Sequence, residues 1–196
     1  MACTALTKGR GLDCNRVSGG VKYLYFSVYD DIADTDITYN AAAGVHEISA
    51  INFQNSTIYR YAVPRGSTTV NESITGSTEN GTLFYTPTVN MVLNRLTKED
   101  QNEIKLLGQT QVRVFAQLNA QVPATGNDVI VVMGAKNGMS MNAGTADSGA
   151  AFGDRNGYTL TFDGLEAEPF PMLKDPAAGV APFGDGGITN LTIDTN

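Results

Sequence analysis

Residues 66–108 constrain this chain more than any other stretch. Between 81 and 96, Leu83, Tyr85, Pro87, Val89, Met91 and Leu93 fall on one face of an extended chain, while Thr86, Thr88, Asn90 and Asn94 fall on the other. That period of two marks a strand with one buried face. Only Phe84 and Val92 interrupt it. Residues 68–74 form a second β-prone run, and Asn80-Gly81 between the runs is the strongest hairpin signal in the sequence. At about 3.3 Å per residue, the second strand of such a hairpin reaches roughly 35 Å, long for a small domain. A helix is predicted at 97–108: Thr97 caps it, Asp100 occupies the third helical position, Ile104 and Leu107 give one apolar stripe, and Gly108 stops it. The centre is therefore a long hairpin, residues 66–96, feeding one short helix. A hairpin of that length has more edge than its own domain can cover.

Charged residues make up only 17% of the 196-residue chain, while Gly, Ser, Thr and Asn are abundant. Long helices would carry runs of Glu, Lys and Ala on their exposed faces, and those runs are missing, so the fold is expected to be mainly β. The net charge of −7 argues against binding nucleic acid by phosphate neutralisation and against an anionic membrane surface. The opening residues lack a signal-peptide core, so synthesis in the cytoplasm is expected. In that compartment Cys3 and Cys14 are expected as thiols.

Residues 1–20 are polar and Gly-punctuated and read as an arm or loop. Residues 21–29 form a strand with two apolar faces, Leu24, Phe26 and Val28 on one and Tyr23, Tyr25 and Tyr29 on the other, which predicts cover on both sides. Weaker strands are expected at 45–53 and 58–63. Val112, Val114, Ala116 and Leu118 alternate with Gln111, Arg113 and Gln117, and 129–133 is continuously apolar, so these two runs read as another hairpin. Residues 136–157 are small, polar and Gly-rich and read as a loop. Tyr158, Leu160 and Phe162 mark a last core strand.

The first domain is placed at 1–168. Beyond it, 169–196 holds Pro169, Pro171, Pro176 and Pro182, a density expected to forbid helix and central strand alike. From Asp163 onward six acidic residues face one lysine. Phe170, Met172, Leu173, Phe183, Ile188 and Leu191 are nevertheless too apolar for a solvated tail. An extended arm lying on its own domain or on a neighbour is predicted.

The sequence offers little catalytic chemistry. His46 is the single histidine, and His46-Glu47 lacks the second histidine of a zincin helix. Asp34, Asp36, Thr38 and Asn40 start like a calcium loop, but Tyr39 stands where such a loop needs glycine and Val45 where it needs glutamate. The glycines of 134–157 lack a Gly-Lys-Ser/Thr element. Glu166 and Glu168 sit beside prolines, a poor mount for a glycosidase pair. Tyr23 and its neighbours suit a packed sheet face better than a sugar platform. No enzymatic activity, cofactor or metal is expected.

Several strings are similar to structural proteins of tailed bacteriophages. They are Met1-Ala-Cys-Thr, Leu12-Asp-Cys14, Gly19-Gly-Val-Lys-Tyr-Leu-Tyr25, Glu79-Asn-Gly-Thr-Leu-Phe-Tyr85, Leu96-Thr-Lys-Glu-Asp100, Ile104-Lys-Leu-Leu107 and Ser148-Gly-Ala-Ala-Phe-Gly-Asp-Arg-Asn-Gly-Tyr-Thr-Leu-Thr-Phe162. Over most of residues 1–170 the chain resembles the tail tube proteins of long-tailed phages. That resemblance implies a β-sandwich or open barrel flanked by a helix, and subunits joined in rings, usually hexameric, stacked into a hollow virion tail tube. Its partners would be identical subunits, other tail proteins, and double-stranded DNA that passes without specific binding. Contact between copies is then expected at Val70, Glu72, Ile74, Leu83, Phe84 and Tyr85 of the hairpin and at Phe170 and Phe183. The rival classes are a tail terminator or capsid decoration protein and a carbohydrate-binding adhesion module.

Overall fold

The computed structural model describes residues 10, 18–42, 45–123, 125–174, 183 and 187–195. Cys3, Cys14 and most of the expected N-terminal arm lie outside the described residues. In chain order the strands are β1 (Val21–Val28), β2 (Ile37–Tyr39), β3 (Glu47–Asn52), β4 (Thr57–Ala62), β5 (Thr69–Ser77) and β6 (Thr82–Asn94). Helix α1 (Lys98–Leu107) follows, then β7 (Val112–Gln121), β8 (Asp128–Met133), β9 (Ser140–Asp147) and β10 (Gly157–Asp163). Three short strands end the chain: β11 (Met172–Leu173), β12 (Ile188–Thr189) and β13 (Thr192–Asp194). The fold is mainly β, in two sheets with one helix. The larger sheet has the order β12-β3-β11-β8-β7-β1-β4-β13 with β2 beside β3, and the smaller is β5-β6-β10-β9.

Alternation along β1, β7 and β8 builds two cores. Leu24, Phe26, Val114, Ala116, Val131 and Met133 face the smaller sheet and meet Val89, Met91, Leu160 and Phe162 there. The intervening Tyr25, Phe115, Ile130 and Val132 point the other way, into a second cluster with Ile48, Ile51, Phe53, Ile58 and Phe183. The two apolar faces expected of β1 are each covered.

The second cluster has an inside because the larger sheet is rolled. Strands β3 and β4 lie five steps apart in the sheet, about 24 Å if it were flat. Yet the chain goes from Asn52 to Thr57 in five residues, at most about 18 Å. Only a curled sheet brings the two ends together. The C-terminal segment then stitches the seam, with β12 parallel to β3 and β13 parallel to β4. Across the seam, Phe53 N donates to Thr189 O at 3.0 Å and Thr192 N to Ser56 O at 3.2 Å. The architecture is an open barrel packed face to face on a four-stranded sheet.

Helix α1 begins as its sequence predicts. Thr97 Oγ1 accepts from Asp100 N at 3.0 Å and donates to Asp100 Oδ2 at 2.6 Å, and Ile104 and Leu107 pack on the inter-sheet core.

Two expectations are corrected. Residues 136–157 are not all loop: β9 pairs with β10 from Ser140↔Asp163 to Asp147↔Gly157. This strand lies at the sheet edge and is exposed along almost its whole length, so it needs no apolar alternation. Gly144 belongs there because a Cβ would sit 2.9 Å from Leu160 Cδ2. The proline-rich end also does enter the sheet interior, since β11 lies between β3 and β8. Pro171 lacks an N–H but its carbonyl accepts from Val132 N at 2.9 Å, and Lys174 N donates to Ile48 O at 2.9 Å. Placed just before a two-residue strand, Pro171 costs the ladder nothing.

Candidate functional site

The hairpin of β5 and β6 is the feature that the rest of the described residues leave uncovered. Its strands pair from Thr69↔Asn90 to Ser77↔Thr82, and residues 78–81 make the turn. Gly81 takes φ +62°, where a side chain is disfavoured, and Asn80 N donates to Ser77 Oγ at 3.3 Å. On its other side β6 pairs with β10 from Asn94↔Gly157 to Thr88↔Asp163. The same register continues to Tyr85↔Glu166, whose backbones exchange two hydrogen bonds of 2.8 Å. Between them Gly164 N donates to Pro87 O at 3.2 Å, but Pro87 has no N–H to return. One rung is missing, and among the described residues the hairpin beyond Tyr85 is held only by its own two strands.

That overhang carries apolar side chains into solvent. Ile74 is 66% exposed, Leu83 57% and Phe84 37%. Ile74, Leu83 and Tyr85 continue the face that closer to the domain buries Pro87 and Val89 and half-buries Val70, whereas Phe84 lies on the opposite face. The apolar alternation of β6 thus runs past the end of the core it serves. Glu79 is the only charged residue between Glu72 and Arg95.

The expected contact residues separate into three groups. Ile74, Leu83 and Phe84 stand exposed on the overhang. Val70 and Phe170 pack against the inter-sheet core, Tyr85 is half-buried at the last rung, and Glu72 is half-buried with Oε1 accepting from Phe170 N at 2.8 Å. Phe183 is 2% exposed inside the barrel, where its ring meets Tyr25, Phe53 and Phe115. It is therefore a core residue, unavailable to a neighbouring copy. Sequence reasoning missed Phe152, fully exposed in the loop between β9 and β10, and Leu165, 61% exposed beside the Tyr85–Glu166 rung. Each is a single large apolar residue among small or polar ones, with no periodicity to reveal it.

The outward face of the smaller sheet is uncharged along most of its area. Asn71, Ser73 and Thr75 on β5 face Thr88, Thr86 and Phe84 on β6, and Thr159 and Thr161 of β10 lie beside Val92 and Asn90. Thr161 Oγ1 donates to Asn90 Oδ1 at 2.9 Å. The strands contribute Asp147 and Asp163 to this face and no Lys or Arg, and the loop between β9 and β10 adds Arg155, whose guanidinium donates to Thr159 Oγ1 at 2.7 Å.

Other polar groups are taken up in holding the fold. Arg113 is 1% exposed; its guanidinium donates to the carbonyls of Tyr29 at 2.5 Å, Ile32 at 2.6 Å and Ala135 at 3.2 Å, and to Asp34 Oδ1 at 3.0 Å. Asp36 Oδ1 accepts from Gln54 Nε2 at 2.9 Å and Asn40 Oδ1 from Ala42 N at 3.0 Å, so the acidic run 34–40 is bound to its own protein. His46 Nε2 lies 2.7 Å from Pro169 O with its ring stacked on Tyr39. Glu166 Oε1 accepts from Lys136 N at 3.1 Å and Asn137 N at 3.0 Å. Burial pushes the phenols of Tyr25, Tyr39 and Tyr61 up to about 12. Among the described residues no group of three or more His, Cys, Asp or Glu side chains is placed to hold a metal ion, and no helix is long and apolar enough to cross a membrane. In comparisons with protein families, with curated proteins and with solved structures, nothing matches this chain.

Proposed function

We propose that this chain is a structural subunit that assembles with copies of itself, as the tail tube protein of a long-tailed phage would, into stacked rings around a conduit for DNA. The observation that carries the reading is the hairpin overhang, which holds Ile74 of β5 and Leu83 and Phe84 of the 13-residue β6 in solvent. Exposed apolar side chains on a projecting strand mark an association surface or an aggregation hazard.

The edges of the smaller sheet support the same reading. Among the described residues β5 pairs only with β6, and β9 only with β10. Neither edge strand contains Lys or Pro, the usual protections against edge pairing. All pairings in the sheet are antiparallel, so β9 of one copy meets β5 of the next in antiparallel sense. Such head-to-tail addition uses two different surfaces and generates a ring when the rotation closes. A face of Thr, Asn and Ser with two aspartates and a single cation, Arg155 on Thr159, offers passing DNA no cluster of cations to grip. On this reading the protein works by its surface and not by catalysis, inside the virion tail, after synthesis in the host bacterial cytoplasm.

Negative-stain microscopy of the purified chain tests the proposal. Stacked rings or tubes are expected. Isolated closed rings or trimers would instead indicate a terminator or decoration protein, and monomers an adhesion module. Replacing residues 74–85 by a two-residue Asn-Gly turn keeps Val70 and Val89 in the core and is expected to abolish assembly. Normal tubes from that variant would refute the role given to the overhang.

A further inference from the structure

The segment 164–171 lies between the hairpin and the barrel and is bonded to both. Toward the hairpin, Gly164 N reaches Pro87 O, Glu166 exchanges two backbone hydrogen bonds with Tyr85, and Phe170 N donates to Glu72 Oε1. Toward the barrel, Glu166 Oε1 accepts from Lys136 N and Asn137 N, Leu165 O accepts from Asn137 Nδ2 at 2.7 Å, and Pro169 O meets His46 Nε2. Pro171 O accepts from Val132 N, after which the chain enters β11. The ring of Phe170 packs on the inter-sheet core. A strap therefore crosses the two sheets where the overhang leaves the domain.

We infer that this strap, clasped by Glu72, fixes the direction in which the overhang projects, and that Glu72 is a positioning residue for self-association. The inference rests on the assembly proposed above. Among the described residues nothing else supports the overhang past Tyr85, so its angle is set by the last points at which the hairpin is held. Those points are the Tyr85–Glu166 rung on β6 and the Glu72–Phe170 contact on β5. Glu72 sits opposite Pro87, where the ladder to β10 lacks a rung, and its carboxylate supplies a hold from the other strand. A hinge free at that level would spread Ile74, Leu83 and Phe84 over many orientations, and each copy would lose that freedom on docking.

Amide hydrogen exchange of the full-length chain, at a dilution where light scattering shows one species, tests the clasp. In Glu72→Ala, exchange at Phe170, Glu166 and Tyr85 is expected to accelerate by about tenfold or more, with β7 amides unchanged. Glu72→Gln keeps an acceptor oxygen and is expected to exchange like the unmodified chain. The concentration needed for half-assembly should rise in Glu72→Ala and return in Glu72→Gln. Unchanged exchange at the three amides in Glu72→Ala overturns the clasp. Faster exchange with unchanged assembly overturns the positioning role. If the unmodified chain fails to assemble at any concentration, the proposed function and the positioning role both fall, while the exchange data still decide whether Glu72 holds the strap.

Discussion

The ring of Phe183 stands edge-on to that of Tyr25, with 4.9 Å between centroids, in the interior of the rolled sheet. Edge-to-face pairs at this spacing add to what area burial alone supplies. Phe183 comes from the proline- and glycine-rich end of the chain and touches strands laid down more than a hundred residues earlier. That end is part of the barrel's core and seam.

Phe183→Ala should accordingly destabilise the whole domain by about 3–5 kcal/mol, as for other buried aromatic truncations. Urea denaturation followed by far-UV circular dichroism measures it. A loss below about 1 kcal/mol, the size expected for a surface position, would place residues 183–194 outside the cooperative unit.

Arg113 and Asp34 form an asymmetric pair: the guanidinium is 1% exposed and the carboxylate 52%. Arg113→Ala strips the partner from three backbone carbonyls and should cost about 3–5 kcal/mol. Asp34→Ala leaves those carbonyls satisfied and should cost less than about 1 kcal/mol. Thermal denaturation of the two variants checks the ordering. Equal losses would mean that the ion pair, and not the carbonyl cage, is what Arg113 is there for.

Much of this organisation was legible in the residues. The alternation of residues 81–96 marked β6, the two apolar faces of β1 foretold its cover on both sides, and the Thr97–Asp100 spacing marked the helix start. Those features depend on neighbours in sequence. Strand β9 escaped because an edge strand exposed on both faces carries no periodic signal. The rolling of the large sheet escaped because it is fixed by pairings of two or three residues between remote segments. Arg113 read as one polar residue on an alternating strand, since nothing local announces that carbonyls of residues 29 and 32 will surround it. For the candidate site, hairpin length identified the overhang, but the boundary between half-buried Val70 and exposed Ile74 depends on where the facing sheet ends.

Glu72 should leave a signature in pH. Desolvation pushes its carboxyl above the ordinary glutamate value of 4.5, and the charge of Glu166 adds to the rise; the hydrogen bond from Phe170 N and the proximity of His46 oppose it. The folded state thus holds this proton more tightly than the unfolded chain does. Its contribution is full below about pH 4.5 and is lost as pH climbs through the raised folded value. Glu72→Gln removes that dependence, so its stability relative to the unmodified chain should improve from about pH 4.5 upward. Parallel melting-temperature curves for the two proteins between acid and neutral pH would contradict the assignment.

Sedimentation velocity over a wide concentration series tests the central claim most directly, comparing the unmodified chain with a triple variant carrying Ile74→Ser, Leu83→Ser and Phe84→Ser. The unmodified chain should pass with concentration from a 20.8 kDa species to large assemblies, while the triple variant stays small and folded. A single 20.8 kDa species for the unmodified chain at every concentration would contradict the account.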